Sequence, residues 1–275
     1  MSLNRRGLTL AELLTALTLT GWLGTLTAKL LTGAAFVLRD ASERIGREQS
    51  IRLTAMAARA ALQPLGQDTL VGADLLSAAS TGFSARRVRG SGTLCDAAPG
   101  VLSARVESGW WSGERDPVPG RDSLLVARVD SAGWRVMALL SPPQTSLCPD
   151  GSKAWRLAVS ADSAALVGIA LGSPVRVFEA IEIRMYASGP DLWTGLRLMA
   201  TTQAIQPFAG PMTGNGLSLT YEQRDGSPAA AGDEVTGVGF RIGVLTERAG
   251  GVGLIRGLAP RGDSLSGFIA LLNHP

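Results

Sequence analysis

The sequence predicts an α+β protein, with one long N-terminal helix packed on a mainly antiparallel β head. Three observations carry this expectation. No proline occurs between Leu8 and Gln63, and that stretch runs from an apolar half into a charged half without a break. Beyond Pro64 the chain changes to short β-rich runs punctuated by glycine and proline. About 210 residues remain after the helix, enough for one sizeable domain or two small ones. The expected organisation is a leader at 1–7, a membrane-spanning helical half at 8–38, an amphipathic half at 39–63 and a β-rich head at 64–275.

The leader carries Arg5 and Arg6 and ends in Gly7. Positive charge there holds the leader on the cytoplasmic side of a membrane. The apolar run Leu8 to Leu38 is interrupted only by Glu12 and Lys29, so its uncharged core is 13–28. That core is slightly short against the roughly 20 residues of a spanning helix. Lys29 can snorkel to the far interface and Glu12 lies near the cytoplasmic one, so the run still spans. An ordinary secretory signal is cut after its apolar stretch. Here the glycine precedes it, and a cut between Gly7 and Leu8 would leave the hydrophobic helix on the mature chain. Glu12 then stands out, because a carboxylate inside a bilayer is costly and points to a function.

From Arg39 the helix continues with charge on one face, where Arg44, Arg47, Glu48 and Arg59 fall. Ile45, Arg52, Leu53, Met56, Ala57 and Ala60 recur at spacings of three and four, which predicts the face that packs on the head. Pro64 ends the helix, since the residue before a proline is pushed out of the helical region. A helix over 8–62 is about 80 Å long.

Two hairpins follow from the pattern. Asp122 to Val129 and Trp134 to Leu140 flank the turn residues 130–133, and Val175 to Tyr186 and Leu192 to Met199 flank 188–191. Leu217 to Glu222, Val235 to Val244 and Ser266 to Leu272 complete the expected strands. Residues 99–120 and 210–216 read as loops, and the basic cluster Arg86, Arg87 and Arg89 reads as solvated loop. Trp110 and Trp111 read as a core corner in preference to an exposed patch. The glycine pairs 237/239 and 251/253 lack dinucleotide-loop spacing and read as bulges or close backbone approaches. The Arg261-Gly262-Asp263 triplet reads as chance.

Charge and motif content narrow the function. Without Arg5 and Arg6 the chain has 24 Lys+Arg against 23 Asp+Glu, so a nucleic-acid partner is not expected. The single histidine is His274, next to the C-terminus, and no G-x-S-x-G elbow, Walker-type loop or C-x-x-C pair occurs. No enzyme activity, cofactor or metal site is therefore expected. Cys95 and Cys148 fall in the part expected to face an oxidising compartment, so a disulfide is the first reading and two buried thiols the alternative.

The leader ending in Gly7, the apolar run beginning at Leu8 and the carboxylate at Glu12 together resemble the N-terminus of type IV pilin-like proteins. The order of the later pieces resembles PilW-like minor pilins and the J-type pseudopilins of type II secretion: a strand ending at Tyr186, the strand Leu192 to Met199, the Tyr221-x-x-x-x-Gly226 segment, Val235 to Val244, and a terminal strand near Asn273. The resemblance implies cleavage between Gly7 and Leu8 by a prepilin peptidase and N-methylation of Leu8. It also implies pairing of Glu12 with the terminal amine of a neighbouring subunit. The implied partners are other major and minor pilins or pseudopilins, an inner-membrane assembly platform and the lipid bilayer. The implied location is the cytoplasmic (inner) membrane, with the head in the periplasm, and then a pilus or pseudopilus. Leu8 departs from the phenylalanine common at the first mature position, and the absence of a proline within the span departs from many major pilins. A large head suits a minor subunit at the filament tip. The alternatives are a filament-borne adhesin and a membrane-anchored extracytoplasmic domain unrelated to pili.

Overall fold

A computed structural model describes residues 9–65, 74–107, 109–130, 133–229, 235–245 and 262–271. Its first element is a single helix, α1, over Leu10–Leu62. By contact the chain divides into Met1–Glu48 and Gln49–Pro275, so the division falls inside α1.

In the first unit the apolar part of the helix is exposed among the described residues. Leu10, Leu17, Trp22, Leu30 and Leu38 all lie exposed, and the stretch is long and apolar enough to cross a membrane. Threonine is a weak helix former because its hydroxyl competes for backbone bonds. Here the hydroxyls donate back into the helix, from Thr15 to the Ala11 carbonyl, Thr20 to Ala16, Thr27 to Leu23 and Thr32 to Ala28, at 2.7–3.0 Å. Satisfied in this way, they leave no polar group that needs water, which is the condition for lying in lipid.

In the second unit the end of α1 lays Ile51, Thr54, Ala58, Ala61 and Leu62 into the head. This corrects the predicted face: Ile45, Leu53 and Met56 are 55%, 48% and 58% exposed. Both sets recur at helical spacing, and periodicity fixes the period without choosing between two apolar phases.

Among the described residues the head is a 13-stranded antiparallel system. Strand β1 (Leu75–Ala79) pairs with the long β2 (Gly82–Ala98). Strands β3 (Val101–Arg105) and β4 (Trp111–Gly113) both pair with β2. Both lie within the predicted loop 99–120. The first predicted hairpin forms as β5 (Asp122–Ala127) with β6 (Trp134–Ala138). Then come β7 (Gln144–Leu147) and β8 (Lys153–Ala158). The second hairpin forms as β9 (Pro174–Ser188) with β10 (Asp191–Leu198), turned by Gly189 at φ 62° and Pro190. Strands β11 (Gln206–Glu222), β12 (Gly237–Leu245) and β13 (Gly262–Ala270) finish the order.

Residues 210–216, expected as a loop, lie inside β11, with a register shift between Met212 and Leu217. Glycine here serves close approach: a Cβ on Gly210 would stand 2.7 Å from the Trp193 ring, and one on Gly216 2.7 Å from the Gly243 carbonyl. The same reason explains Gly237 and Gly239, whose Cβ positions are taken by the Phe268 ring and the Thr220 hydroxyl. Gly251 and Gly253 lie outside the described residues. Tyr221 sits in the core with its hydroxyl 3.0 Å from the carbonyls of Ala79 and Gly82, and burial pushes its phenol up. Five residues on, Gly226 makes a turn at φ 81°.

Two hydrophobic cores share this sheet. The first joins α1 to Phe83, Ile181, Ile183, Leu217, Val238, Ile242 and Ile269. The second holds Leu94, Leu102, Leu124, Val126, Met137, Leu157, Val175 and Val177. Around the second core, strands run β2–β3–β8 on one side and β2–β9–β5–β6 on the other. A bridge between Leu139 and Val159 closes them into a ring, with Leu140 N–H donating to Ala158 at 2.8 Å and Ser160 N–H to Ala138 at 3.0 Å. The second lobe is thus a small six-stranded barrel, and β2 and β9 are walls of both cores.

Candidate functional site

Gly7 and Leu8, the expected cleavage and methylation positions, lie outside the described residues. Glu12 is the first functional candidate the structure describes. Its carboxylate accepts from Thr9 N–H at 2.9 Å and from the Thr9 hydroxyl at 3.1 Å, while Glu12 N–H donates to the Thr9 hydroxyl at 3.3 Å. This is a reciprocal capping box, in which Thr9 and Glu12 satisfy donors that the start of a helix leaves open. The Thr-x-x-Glu spacing ahead of an apolar run is its signal in the sequence. Negative charge in the first turn also complements the helix dipole.

The head's densest constellation of ionisable groups sits where β2 and β9 pass from one core to the other. Along β9, Val175 and Val177 face the barrel core, Ile181 and Ile183 face the helix-backed core, and Glu179 stands between them, fully buried. Its neighbour across the β5–β9 ladder is Asp122, also buried. Two carboxylates directly opposite repel each other unless cations are placed between them. Arg89 donates to Glu179 at 2.8 and 2.5 Å and to Glu114 at 2.6 Å. Arg121 bonds the other Glu179 oxygen. Arg115 grips Asp122 through two bonds of 2.5 and 2.7 Å and lies 3.8 Å from Glu179.

Arg89 reaches this place because it is a bulge. Val88 pairs with Phe178 and Gly90 with Val177, leaving Arg89 as the extra residue. A bulge re-aims a side chain and bends the strand. The basic cluster is therefore corrected from solvated loop to strand: Arg87 lies opposite Glu179 in the ladder, and Arg86 stacks 5.6 Å from the Phe178 ring centre. The carboxylates were scattered through the sequence, and only the pairing of distant strands gathers them.

Burial alone would raise the Glu179 carboxyl. Hydrogen bonds from Arg121 and Arg89, with their charges, outweigh burial and hold it below the usual glutamate range. The hydrogen bond from Arg89 likewise lowers Glu114, and the bond to Asp122 raises Arg115. The carboxylates of the cluster thus take their hydrogen bonds from arginines of the same chain.

Cys95 and Cys148 are joined in a disulfide, with Cα atoms 5.6 Å apart, over Ala154. The bond ties β2 to the end of β7. Beside it the Ser152 hydroxyl and amide donate to Asp150, and Arg105 pairs with it at 2.6 Å, which holds the Asp150 carboxyl down at about 2. The tryptophan pair divides. Trp111 lies over Gly92, whose Cβ would be 2.5 Å from the ring, and meets Trp155 edge-on at 4.9 Å. Trp110 is 50% exposed with the Arg105 guanidinium 5.2 Å from its ring centre.

Among the described residues no group of three or more His, Cys, Asp or Glu is arranged to hold a metal ion. Compared with protein-family models, with curated proteins and with solved structures, the chain matches none of them.

Proposed function

We propose that this chain is a minor pilin or pseudopilin, a structural subunit of a type IV pilus or of a type II secretion pseudopilus, acting in filament initiation or at the tip. The observation that supports it most is the pairing of a basic leader ending at Gly7 with a helix whose large apolar side chains from Leu10 to Leu38 are exposed among the described residues. Such a surface requires lipid or other helices. Retained after cleavage, it provides both in turn, first as an anchor in the cytoplasmic membrane and then as the packing surface of a filament.

In this reading a prepilin peptidase cuts between Gly7 and Leu8, and Leu8 is methylated. Glu12 then has two uses. It caps its own helix, and it meets the terminal amine of the neighbouring subunit during assembly. The head, tied by the Cys95–Cys148 disulfide, belongs to the extracytoplasmic side.

The experiment is the N-terminal mass of the protein coexpressed with a prepilin peptidase, beside Gly7→Ala and a peptidase-free control. A peptidase-dependent terminus at Leu8 is the expected result. An intact Met1 terminus in every sample overturns the reading and leaves a membrane-anchored domain. Glu12→Ala is expected to be cut normally and to enter filaments poorly; normal recruitment would remove the role assigned to the carboxylate.

A further inference from the structure

The two ends of the strand order are built differently. At one end β7 has four residues, is preceded by Pro142 and Pro143, and stops at the disulfide. Short length and proline are the usual guards against pairing with another chain. At the other end β13 has nine residues, keeps an unbroken register with β12, and contains no proline, lysine or arginine. Gly262 to Phe268 are exposed throughout, and among the described residues no strand pairs with the outer side of β13.

The hydrogen-bond phase of that outer side follows from the ladder. Leu219 N–H points away from β12, to Ser80, so its neighbour Thr220 bonds its partner Gly239. Gly239 therefore turns its backbone away from β13, and its partner Phe268 turns outward. At the far end Leu271 N–H donates to Thr236, which gives the same phase. The amides and carbonyls of Gly262, Ser264, Ser266 and Phe268 thus face the open edge. An extended polypeptide complements such a row.

The strand is complementary to itself in one register. Antiparallel pairing about a two-fold axis at Leu265 sets Leu265 against its own copy and Ser264 against Ser266. It also sets Asp263 against Gly267 and Gly262 against Phe268. Gly262, Ser264, Ser266 and Phe268 then fall in hydrogen-bonded pairs, and no like charges meet among the paired residues. Phenylalanine opposite glycine repeats an arrangement already present in the molecule, where Phe240 lies over its ladder partner Gly267. Leu265, 41% exposed, gains an apolar partner.

We propose that β13 is a dimerisation edge, which joins two copies of this chain into one continuous sheet through Leu265–Leu265 pairing. The inference does not depend on the pilin reading. Leu265 falls at a non-hydrogen-bonded pair, where Cα atoms lie about 4.5 Å apart, within reach of a disulfide. Both native cysteines are already bonded, so an engineered cysteine is the one free thiol.

The test uses the full chain in detergent micelles under mild oxidation. Leu265→Cys is expected to form a covalent dimer, and Ser266→Cys, one residue off the axis, to form much less. Leu265→Lys places like charges on the axis and is expected to weaken the dimer roughly tenfold. Ser266→Pro removes an outward amide that β12 does not use and is expected to abolish the dimer with thermal unfolding unchanged. Association through the membrane helix alone would be blind to these positions. The proposal is overturned by absence of cross-linking at Leu265→Cys, by stronger cross-linking at Ser266→Cys, or by a dimer that survives both Leu265→Lys and Ser266→Pro in folded protein.

Discussion

The two cores of the head bury the same kind of surface, the apolar face of an antiparallel sheet, by different means. In the helix-backed core an open sheet is covered by the last turns of α1, with Ala58, Ala61 and Leu62 as the contact. In the barrel the sheet curls until β6 meets the end of β8 and covers itself. One core borrows a lid from the segment that begins in the apolar anchor; the other is self-contained and carries the disulfide. The difference teaches where each lobe is vulnerable. The first depends on the helix, and the second on closure of the ring and its covalent tie.

Four experiments would break or sharpen this contrast. Replacing both Cys95 and Cys148 by alanine is expected to cost the most, about 4 kcal/mol by chain entropy for a loop of this length. Hydrogen exchange should show the loss concentrated in β3, β7 and β8, and a loss spread evenly over the head would deny the barrel its independence. Leu62→Ala is expected to cost about 3 kcal/mol through a cavity in a fully buried site. Protection should fall in β10 to β13 and be kept in β5 and β6.

Glu179→Gln is expected to cost about 2 kcal/mol, since the arginines left behind are partly open to water. The pH dependence has a definite sign. Glu179 is held below its unfolded value of about 4.3, so its contribution is complete above that pH. It is lost as pH falls through the lower folded value. Wild type should therefore lose stability on acidification more steeply than Glu179→Gln, as denaturant titrations between neutral and acidic pH would show; parallel curves would remove the seam from the account. The smallest effect is at Asp150. NMR titration should place its carboxyl near 2, and Asp150→Asn should leave unfolding almost unchanged because the pair is at the surface.

Legibility in the sequence followed local pattern. The helix and the two hairpins were readable because apolar periodicity and turn residues sit side by side, as in Val175 to Tyr186 with the turn at Gly189 and Pro190. Strand β2 was not, because Arg86, Arg87, Gly90 and Gly92 look like a loop until Glu179 and the Trp111 ring are placed against them. The helix face was misread by phase, Leu53 and Met56 for Ile51 and Ala58, since both sets are apolar. Ring closure depends on a contact between Leu139 and Val159, which no alternation encodes. At the N-terminus the Thr9–Glu12 cap was written in plain spacing, and Gly7 and Leu8 remain expectations that peptidase processing tests directly.

The bulge at Arg89 also decides what the chain can lose. Before it, Phe83 and Ala85 face inward at odd positions; after it, Leu94 faces inward at an even one. One extra residue shifts the reading frame of the strand's two sides. Removal of that single residue would make Val88 and Gly90 direct neighbours on opposite sides of the strand, so Leu94 would still face the barrel and Cys95 would keep its place, and what is lost is the guanidinium aimed at Glu179. A one-residue deletion in β2 is therefore borne by the two cores at Arg89 and at no regularly paired position beside it, where the same loss would turn the residues between it and the bulge to the wrong face.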